Sequence, residues 1–431
     1  MKRKIMNQLL KWKENKDRLP LIIYGARQIG KTYTILEFGK ENFKNIVYVN
    51  FEEESALIPY FNDSIRPKNI IKILEEYYNI KITSSDTLII FDEIQICNRA
   101  LTSLKYFNEE AKEFYIISAG SLLGVSINAN KFSFPVGKVQ TITMYPMDFE
   151  EFLWAKNKNI LLDEIKRCYL NNTKLENNMH DLAMNIYFEY ILVGGMPLVV
   201  YQYISDNKIL TYSKMQKSIV DAYIADMIKY SDKSQSVKTI ATYESIVPQL
   251  AKENKKFKFN LIQKGARTSL FGESIDWLVK AGVVLKCIKI LKGDNPPITS
   301  ADLSSFKLYL SDIGLLSSKI GINKVNINKF DNMYMGAVTE NYVANNLVSN
   351  NNILYYWESD NTAEIDFVII TNDGNIPIEV KSNINNKSKS LEIFTKKYNP
   401  KYSIRISAKN FGFENNIKSV PLYAVFCINS I

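Results

Sequence analysis

The chain has 431 residues, too many for one ordinary core and enough for about three domains. Apolar residues make up 46% of it, which excludes a disordered chain, and Lys and Arg outnumber Asp and Glu by 54 to 45, a formal charge of +9 that admits nucleic acid as a partner without establishing it. The scattered Cys97, Cys168, Cys287 and Cys427 form no CxxC pair, which argues against zinc and against a secreted disulfide framework, and the single histidine, His180, leaves chemistry to carboxylates, lysines and metal.

The first residues, Met1-Lys2-Arg3-Lys4, lead into a charged stretch ending at Arg18 rather than an apolar signal core, so a cytoplasmic protein is expected. Residues 19–24 read as a buried strand that feeds Gly25-Ala26-Arg27-Gln28-Ile29-Gly30-Lys31-Thr32. Glycines at both ends of this loop let backbone N–H groups curl around a polyphosphate, Lys31 adds a cation, and Thr32 offers a hydroxyl to magnesium. A second apolar strand, 88–91, ends in Asp92-Glu93: Asp92 is placed to hold the metal and Glu93 to orient an attacking water. A third, 114–118, runs into Ala119-Gly120-Ser121, where the Ser121 hydroxyl would sense the terminal phosphate, although serine and glycine there are also ordinary turn residues.

Strands at 19–24, 46–51, 88–91, 114–118 and 139–144 alternate with helical stretches at 31–40, 69–79 and 101–113, the pattern of a parallel sheet covered by helices. Pro146 and the acidic Asp148-Phe149-Glu150-Glu151 then open a helix, and the nucleotide domain closes near Trp154. Residues 155–235 read as helical, with a polar loop at 171–178. The most membrane-like stretch, 186–204, is broken by Glu189, Gly194, Gly195 and Pro197 and reads as a buried helix and turn.

The 236–330 section has the outline of a winged helix: helices at 243–251, 260–264 and 268–281, the last with Leu270, Ile275, Leu278 and Val279 inward, then strands at 283–290 and 305–310 joined through Gly293-Asp294-Asn295-Pro296-Pro297. Lys252, Lys255, Lys256, Lys258, Lys264 and Arg267, interleaved with Phe257 and Phe259, suggest DNA, whereas Glu273 and Asp276 on the reading helix oppose phosphate. From 331 onward a helix at 337–348 precedes strands at 353–357, 365–370, 376–381, 402–407 and 422–426. Asp366 on one hairpin strand and Glu379 and Lys381 on the next can converge, with Glu340 from the helix, as a magnesium-dependent phosphodiesterase requires. The alternative is an exposed hairpin with alternating charges.

With these residues assembled, the chain resembles a prokaryotic family of AAA+-like P-loop ATPases that carry a carboxy-terminal domain of unknown function, the DUF4143 type. The marks are GARQIGKT (25–32), FDEIQ (91–95), AGS (119–121), YPMDFEEFL (145–153), GGMP (194–197), KLYLSDIGLL (307–316), EIDFVI (364–369) and IEVKS (378–382). The resemblance implies an α/β protein: a parallel-sheet ATPase domain (1–154) binding ATP and Mg2+, a helical lid (155–235), a winged helix (236–330) and a tail (331–431) similar to the PD-(D/E)xK nuclease fold. It also implies a charge-stabilising arginine where this chain has Lys138 after Gly137, and lysine keeps the charge but loses the planar fork. The expected function is an ATPase switch engaging DNA or a protein partner, with no membrane. Two other readings stay open, a non-enzymatic regulator that holds ATP as a structural ligand and a partner-sensing signalling ATPase.

Overall fold

The computed structural model describes residues 1–121, 134–206, 209–252, 254–293, 296–322, 332–359, 363–382 and 389–428. Asp294 and Asn295 of the expected hairpin loop, and the expected boundary at 330–331, lie outside the described residues. The chain divides into one unit of Lys2–Tyr145 with Lys280–Gly282 and another of Pro146–Val279 with Val283–Ile431.

In the first unit α1 (Ile5–Glu14) precedes β1 (Leu21–Tyr24), α2 (Lys31–Asn42), β2 (Asn45–Asn50), α3 (Ile58–Asp63), α4 (Pro67–Tyr78), β3 (Thr87–Asp92), α5 (Asn98–Glu110), β4 (Tyr115–Ala119) and β5 (Gln140–Thr143). The strands pair in parallel in the order β2-β3-β4-β1-β5. All residues of β3 are buried, as a central strand covered on both faces requires. The chain steps inward from β2 to β4 and then crosses β1 to reach β5. The direction of strand addition therefore reverses beside β1, and open α/β sheets bind ligands outside the carboxyl ends of the strands at such a point. Because β4 lies between β1 and β3, the ends of the two motif-bearing strands flank the end of β4.

The second unit begins with the helices α6 (Phe149–Ala155), α7 (Asn159–Asn171), α8 (Asn177–Val193), α9 (Pro197–Asp206), α10 (Ile209–Lys229) and α11 (Lys233–Leu250). A capping box starts α6: Asp148 accepts from the Glu151 N–H at 3.0 Å, and Glu151 accepts from the Asp148 N–H at 3.3 Å. Then come α12 (Thr268–Lys280), β6 (Val284–Ile290), β7 (Ala301–Leu310), α13 (Ile313–Ile320), α14 (Asn332–Ser349), β8 (Tyr355–Glu358), β9 (Glu364–Thr371), β10 (Gly374–Val380), α15 (Lys389–Tyr398), β11 (Ser403–Ser407), β12 (Gly412–Glu414) and β13 (Ile417–Pro421). One sheet holds all these strands in the order β12-β13-β11-β10-β9-β8-β6-β7.

That order changes the reading of the 236–330 section. Residues expected as a second helix form only a 3-10 turn at Phe259–Leu261, and β6 pairs antiparallel with β7 on one side and parallel with β8 on the other. The hairpin is therefore an extension of the tail's sheet rather than a free-standing wing. An exposed strand edge seeks a partner, and β8 supplies one. On α12 Leu270 faces outward, 41% exposed, while its neighbour Phe271 is buried. Residues 422–426, expected as a strand, form a buried 3-10 turn at Leu422–Cys427, because Pro421 ends the strand that precedes it.

Three motifs of the resemblance meet at one point of this unit. The Gly195 N–H donates to Asp312 Oδ2 at 2.6 Å, Asp312 Oδ1 accepts from the Leu315 N–H at 2.9 Å, and the Met147 N–H donates to the Gly195 carbonyl at 2.7 Å. A methyl group on Gly195 would stand 1.9 Å from the Met147 carbonyl oxygen, and one on Gly314 would stand 2.4 Å from that of Val193. No helix among the described residues is long and apolar enough to cross a membrane.

Candidate functional site

The loop between β1 and α2 is shaped by left-handed backbone at Gln28 (φ 65°) and Gly30 (φ 87°), the conformation that turns successive N–H groups toward one concavity. Gly25 has φ 144°, and a methyl there would stand 2.3 Å from the Met144 carbonyl oxygen. Arg3, 6% exposed, holds the loop from outside: Nη1 donates to the Ile29 carbonyl at 2.8 Å and Nη2 to the Tyr145 carbonyl at 2.7 Å. No local sequence pattern announces this role of Arg3, since a guanidinium carries no signal of what it bonds.

Lys31 opens α2 and is 7% exposed. Its ammonium donates to the Gly25 carbonyl at 2.9 Å and the Ala26 carbonyl at 2.8 Å. Burial lowers its pKa to about 8, against the opposing pull of Glu93 and Asp92. Thr32 and Asp92, sixty positions apart in the chain, meet directly: Thr32 Oγ1 donates to Asp92 Oδ2 at 2.6 Å. Tyr48 on β2 donates to the same oxygen at 3.1 Å, and the Glu93 N–H donates to Asp92 Oδ1 at 2.9 Å. Glu93 itself has φ 48°, and its Oε2 accepts from Gln95 Nε2. Neither Tyr48 nor Gln95 was singled out from sequence, although Gln95 closes the FDEIQ motif. Ser121 is buried two residues past the end of β4. Lys138 is paired with Glu109 at 3.0 Å.

This geometry fits a nucleoside triphosphate with magnesium: a concave run of N–H groups, a buried ammonium held only by neutral carbonyls, and a hydroxyl–carboxylate pair that a hard cation would bridge. An AAA domain model matches residues 17–153, a domain of unknown function (DUF4143) matches 335–425, and a second domain of unknown function (DUF8612) matches 184–326. The chain is an AAA-domain protein with a DUF4143 tail. An uncharacterized protein of Methanocaldococcus jannaschii is 26% identical over 86% of this chain and 76% of its own length. Among solved structures, the Walker-type ATPase of Pyrococcus abyssi is 14% identical, covering 74% of this chain and 95% of that one, with a TM-score of 0.46. AMPPCP-bound DnaA from Aquifex aeolicus is 13% identical, covering 64% and 86%, with a TM-score of 0.29.

The DUF4143 tail brings the expected acidic residues close, but in company the sequence reading did not foresee. Glu340 on α14 is 2% exposed; it accepts from Lys307 Nζ at 3.0 Å and also from Lys255 and the Tyr309 hydroxyl. Lys307, 1% exposed on β7, bonds Glu364 as well at 2.5 Å. Burial opposes the charge on Lys307, yet Glu340, Glu364 and Asp366 hold its pKa well above the ordinary value. Asp366 accepts from the Val380 N–H at 2.8 Å and is pushed up to about 7 by burial and by Glu340. Glu379 is buried and pairs with Lys381 at 2.7 Å, while Val380 between them is half-buried. A magnesium ion does not fit this arrangement. The Glu340 carboxylate is already engaged by two ammonium groups and a phenol, and no group of three or more His, Cys, Asp or Glu suited to a metal occurs among the described residues. The clue was in the sequence: a lone lysine inside the apolar strand Phe306-Lys307-Leu308-Tyr309-Leu310 must be paired if buried.

Proposed function

We propose that this AAA-domain protein is an ATP-binding and ATP-hydrolysing switch that couples nucleotide state to engagement of DNA or a protein partner. The observation that carries the reading is the Thr32–Asp92 hydrogen bond at 2.6 Å, which joins the two motifs a magnesium nucleotide needs at one place. The 25–32 loop would cradle the phosphates, and Lys31, now spending its donors on two carbonyls, would exchange them for phosphate oxygens at little cost. Thr32 and Asp92 would hold magnesium, which when bound supplies charge neutralisation at the outer phosphates. Glu93 would orient the attacking water once released from Gln95, and Ser121 would report the terminal phosphate.

The working layout is an ATPase domain over 1–154, a helical lid over 155–235, a winged-helix-like section over 236–330 and a nuclease-like tail over 331–431. For a nucleic-acid partner the supporting feature is the run of exposed Lys252, Lys258, Lys264 and Arg267. Phe257 and Phe259 do not add base-stacking faces to it, since both rings pack on Phe306. If DNA is the partner, replacing Lys258 and Arg267 together by Ala should weaken binding and reduce its salt slope by about 2.

Lys31→Ala should lose ATP binding while the melting temperature without nucleotide stays near that of the parent. Glu93→Gln should keep ATP affinity and lose turnover by about 100-fold or more. Equal ATP affinity in Lys31→Ala would sink the assignment. Equal turnover in Glu93→Gln would favour the second reading, a non-hydrolysing regulator that keeps ATP as a ligand. Two observations speak for that reading: Gln95 restrains Glu93, and Lys138, in the finger position, is spent on Glu109.

A further inference from the structure

We infer that the cleft between α15 and the β11–β13 end of the tail's sheet is a binding site for a small hydroxyl-bearing oxyanion, a sugar phosphate or a sugar acid, and that Arg405 takes the charged end of this ligand.

The cleft has a volume of about 420 Å3, within the ordinary range for small-ligand pockets. Its floor belongs to the sheet: in parallel register Arg405 on β11 stands between Glu379 on β10 and Ser419 on β13. Ser403, two residues before Arg405, shares its face of the strand and meets Thr395 on α15, the two hydroxyl oxygens lying 3.2 Å apart. The Asn415-Asn416 turn, left-handed at both positions with φ 50° and 57°, lines one wall. It is tied to the floor by the Ser403 N–H, which donates to the Asn416 carbonyl at 2.8 Å. Backbone bonds thus fix wall and floor before any ligand arrives.

Arg405, which lines this cleft, carries the argument for a ligand. Its Nε is buried and has no hydrogen-bond partner among the described residues, although buried donors are nearly always paired. The adjacent Glu379 does not take it: Glu379 Oε1 pairs with Lys381 at 2.7 Å, and its buried Oε2 has no hydrogen-bond partner among the described residues either. An orphaned donor destabilises the fold that holds it, and a ligand that accepts from it relieves that cost. The planar fork of a guanidinium matches a carboxylate or a phosphate, and Lys396 on the open side of the cleft adds a second cation. Glu392 and Glu414, exposed on the same rim, repel a polyanion such as a nucleic-acid backbone and accept from hydroxyl groups. One oxyanion on a hydroxyl-bearing body answers both halves of this lining.

The test uses the full-length chain without nucleotide and two separate probes, ribose 5-phosphate for the phosphate source and gluconate for the carboxylate source. Calorimetric titration gives affinity, and thermal unfolding gives stability. The parent should bind one of the two saturably, and which one it binds identifies the source. Arg405→Met, which keeps an apolar stem and removes the donors, should weaken that probe about 10-fold or more and, without probe, melt no earlier than the parent. Lys396→Ala, on the exposed side of α15, should weaken the same probe several-fold with unchanged melting. Any binding at the phosphate loop is common to parent and variants, so the comparison stands whether or not the AAA domain binds ATP. A parent that binds neither probe at millimolar concentration overturns the inference, as does unchanged affinity in either variant. An Arg405→Met that melts several degrees earlier, or does not fold, shows a guanidinium already satisfied within the fold and overturns it too.

Discussion

Lys31 and Lys307 are both withdrawn from solvent, and their surroundings drive them in opposite directions. Burial lowers the pKa of Lys31 to about 8 because its hydrogen-bond partners are neutral carbonyls, whereas the carboxylates around Lys307 overcome the same penalty. The first side chain is held ready to exchange partners and the second is locked. His180 gives a third case. Its Nδ1 lies 2.9 Å from the Tyr423 hydroxyl, and burial lowers its pKa despite Asp181 and a backbone contact at Ala408. A depressed histidine means that the unfolded chain binds the proton more readily, so the stability tied to this ring is present above pH of about 6.5 and is lost as pH falls through the folded-state value. As the chain has one histidine, its imidazole proton resonance can be followed alone by NMR. The titration midpoint should lie below the value for the denatured chain, and His180→Gln should flatten the acid side of the stability curve.

At the scale of elements, the glycines divide sharply by what surrounds them. Gly195→Ala would drive a methyl into the Met147 carbonyl at 1.9 Å, backbone against backbone, and should cost about 3 kcal/mol in denaturant unfolding. Gly272, inside α12, has only the Thr268 methyl at 3.7 Å, so Gly272→Ala should be neutral or stabilise by up to about 1 kcal/mol. The sequence made some of these elements plain and hid others for physical reasons. The parallel sheet was legible because 87–92 and 115–119 are apolar runs of strand length bounded by turns, and the loop at 25–32 has a fixed spacing. The helix α1 escapes a sequence reading, although Ile5, Leu9 and Trp12 fall on one face, because charged residues crowd both sides of it, Lys2-Arg3-Lys4 before and Lys16-Asp17-Arg18 after. The 422–427 turn is buried at every position, and a uniformly buried segment has no period by which strand and turn can be told apart. In the candidate sites, Thr32 and Asp92 could be paired from their motifs. Arg3, Tyr48 and Lys307 act on residues between about 25 and 140 positions away, and no local pattern announces such contacts.

Over the whole molecule, the sheet of the second unit joins the section before residue 322 to the section after 332, and the ion pairs of Glu340 with Lys255 and Lys307 cross the same divide. A fragment of 331–431 alone would leave the β8 edge bare and Glu340 buried without its cations. It should therefore fail to unfold cooperatively in calorimetry, and co-expression with a fragment spanning 233–322 should restore a single transition. A cooperative 331–431 fragment would show that the tail is autonomous after all.

The parallel pairing of β6 with β8 also sets a schedule for synthesis. Between Ile290 and Tyr355 about 65 residues must be translated, which takes roughly 3–13 s at ribosomal speed. Throughout that interval the nascent hairpin presents one unpaired rim to solvent or to a neighbouring chain. Lys286 and Lys289, on the strand that waits, are the gatekeepers that deter a wrong partner until the right one is made.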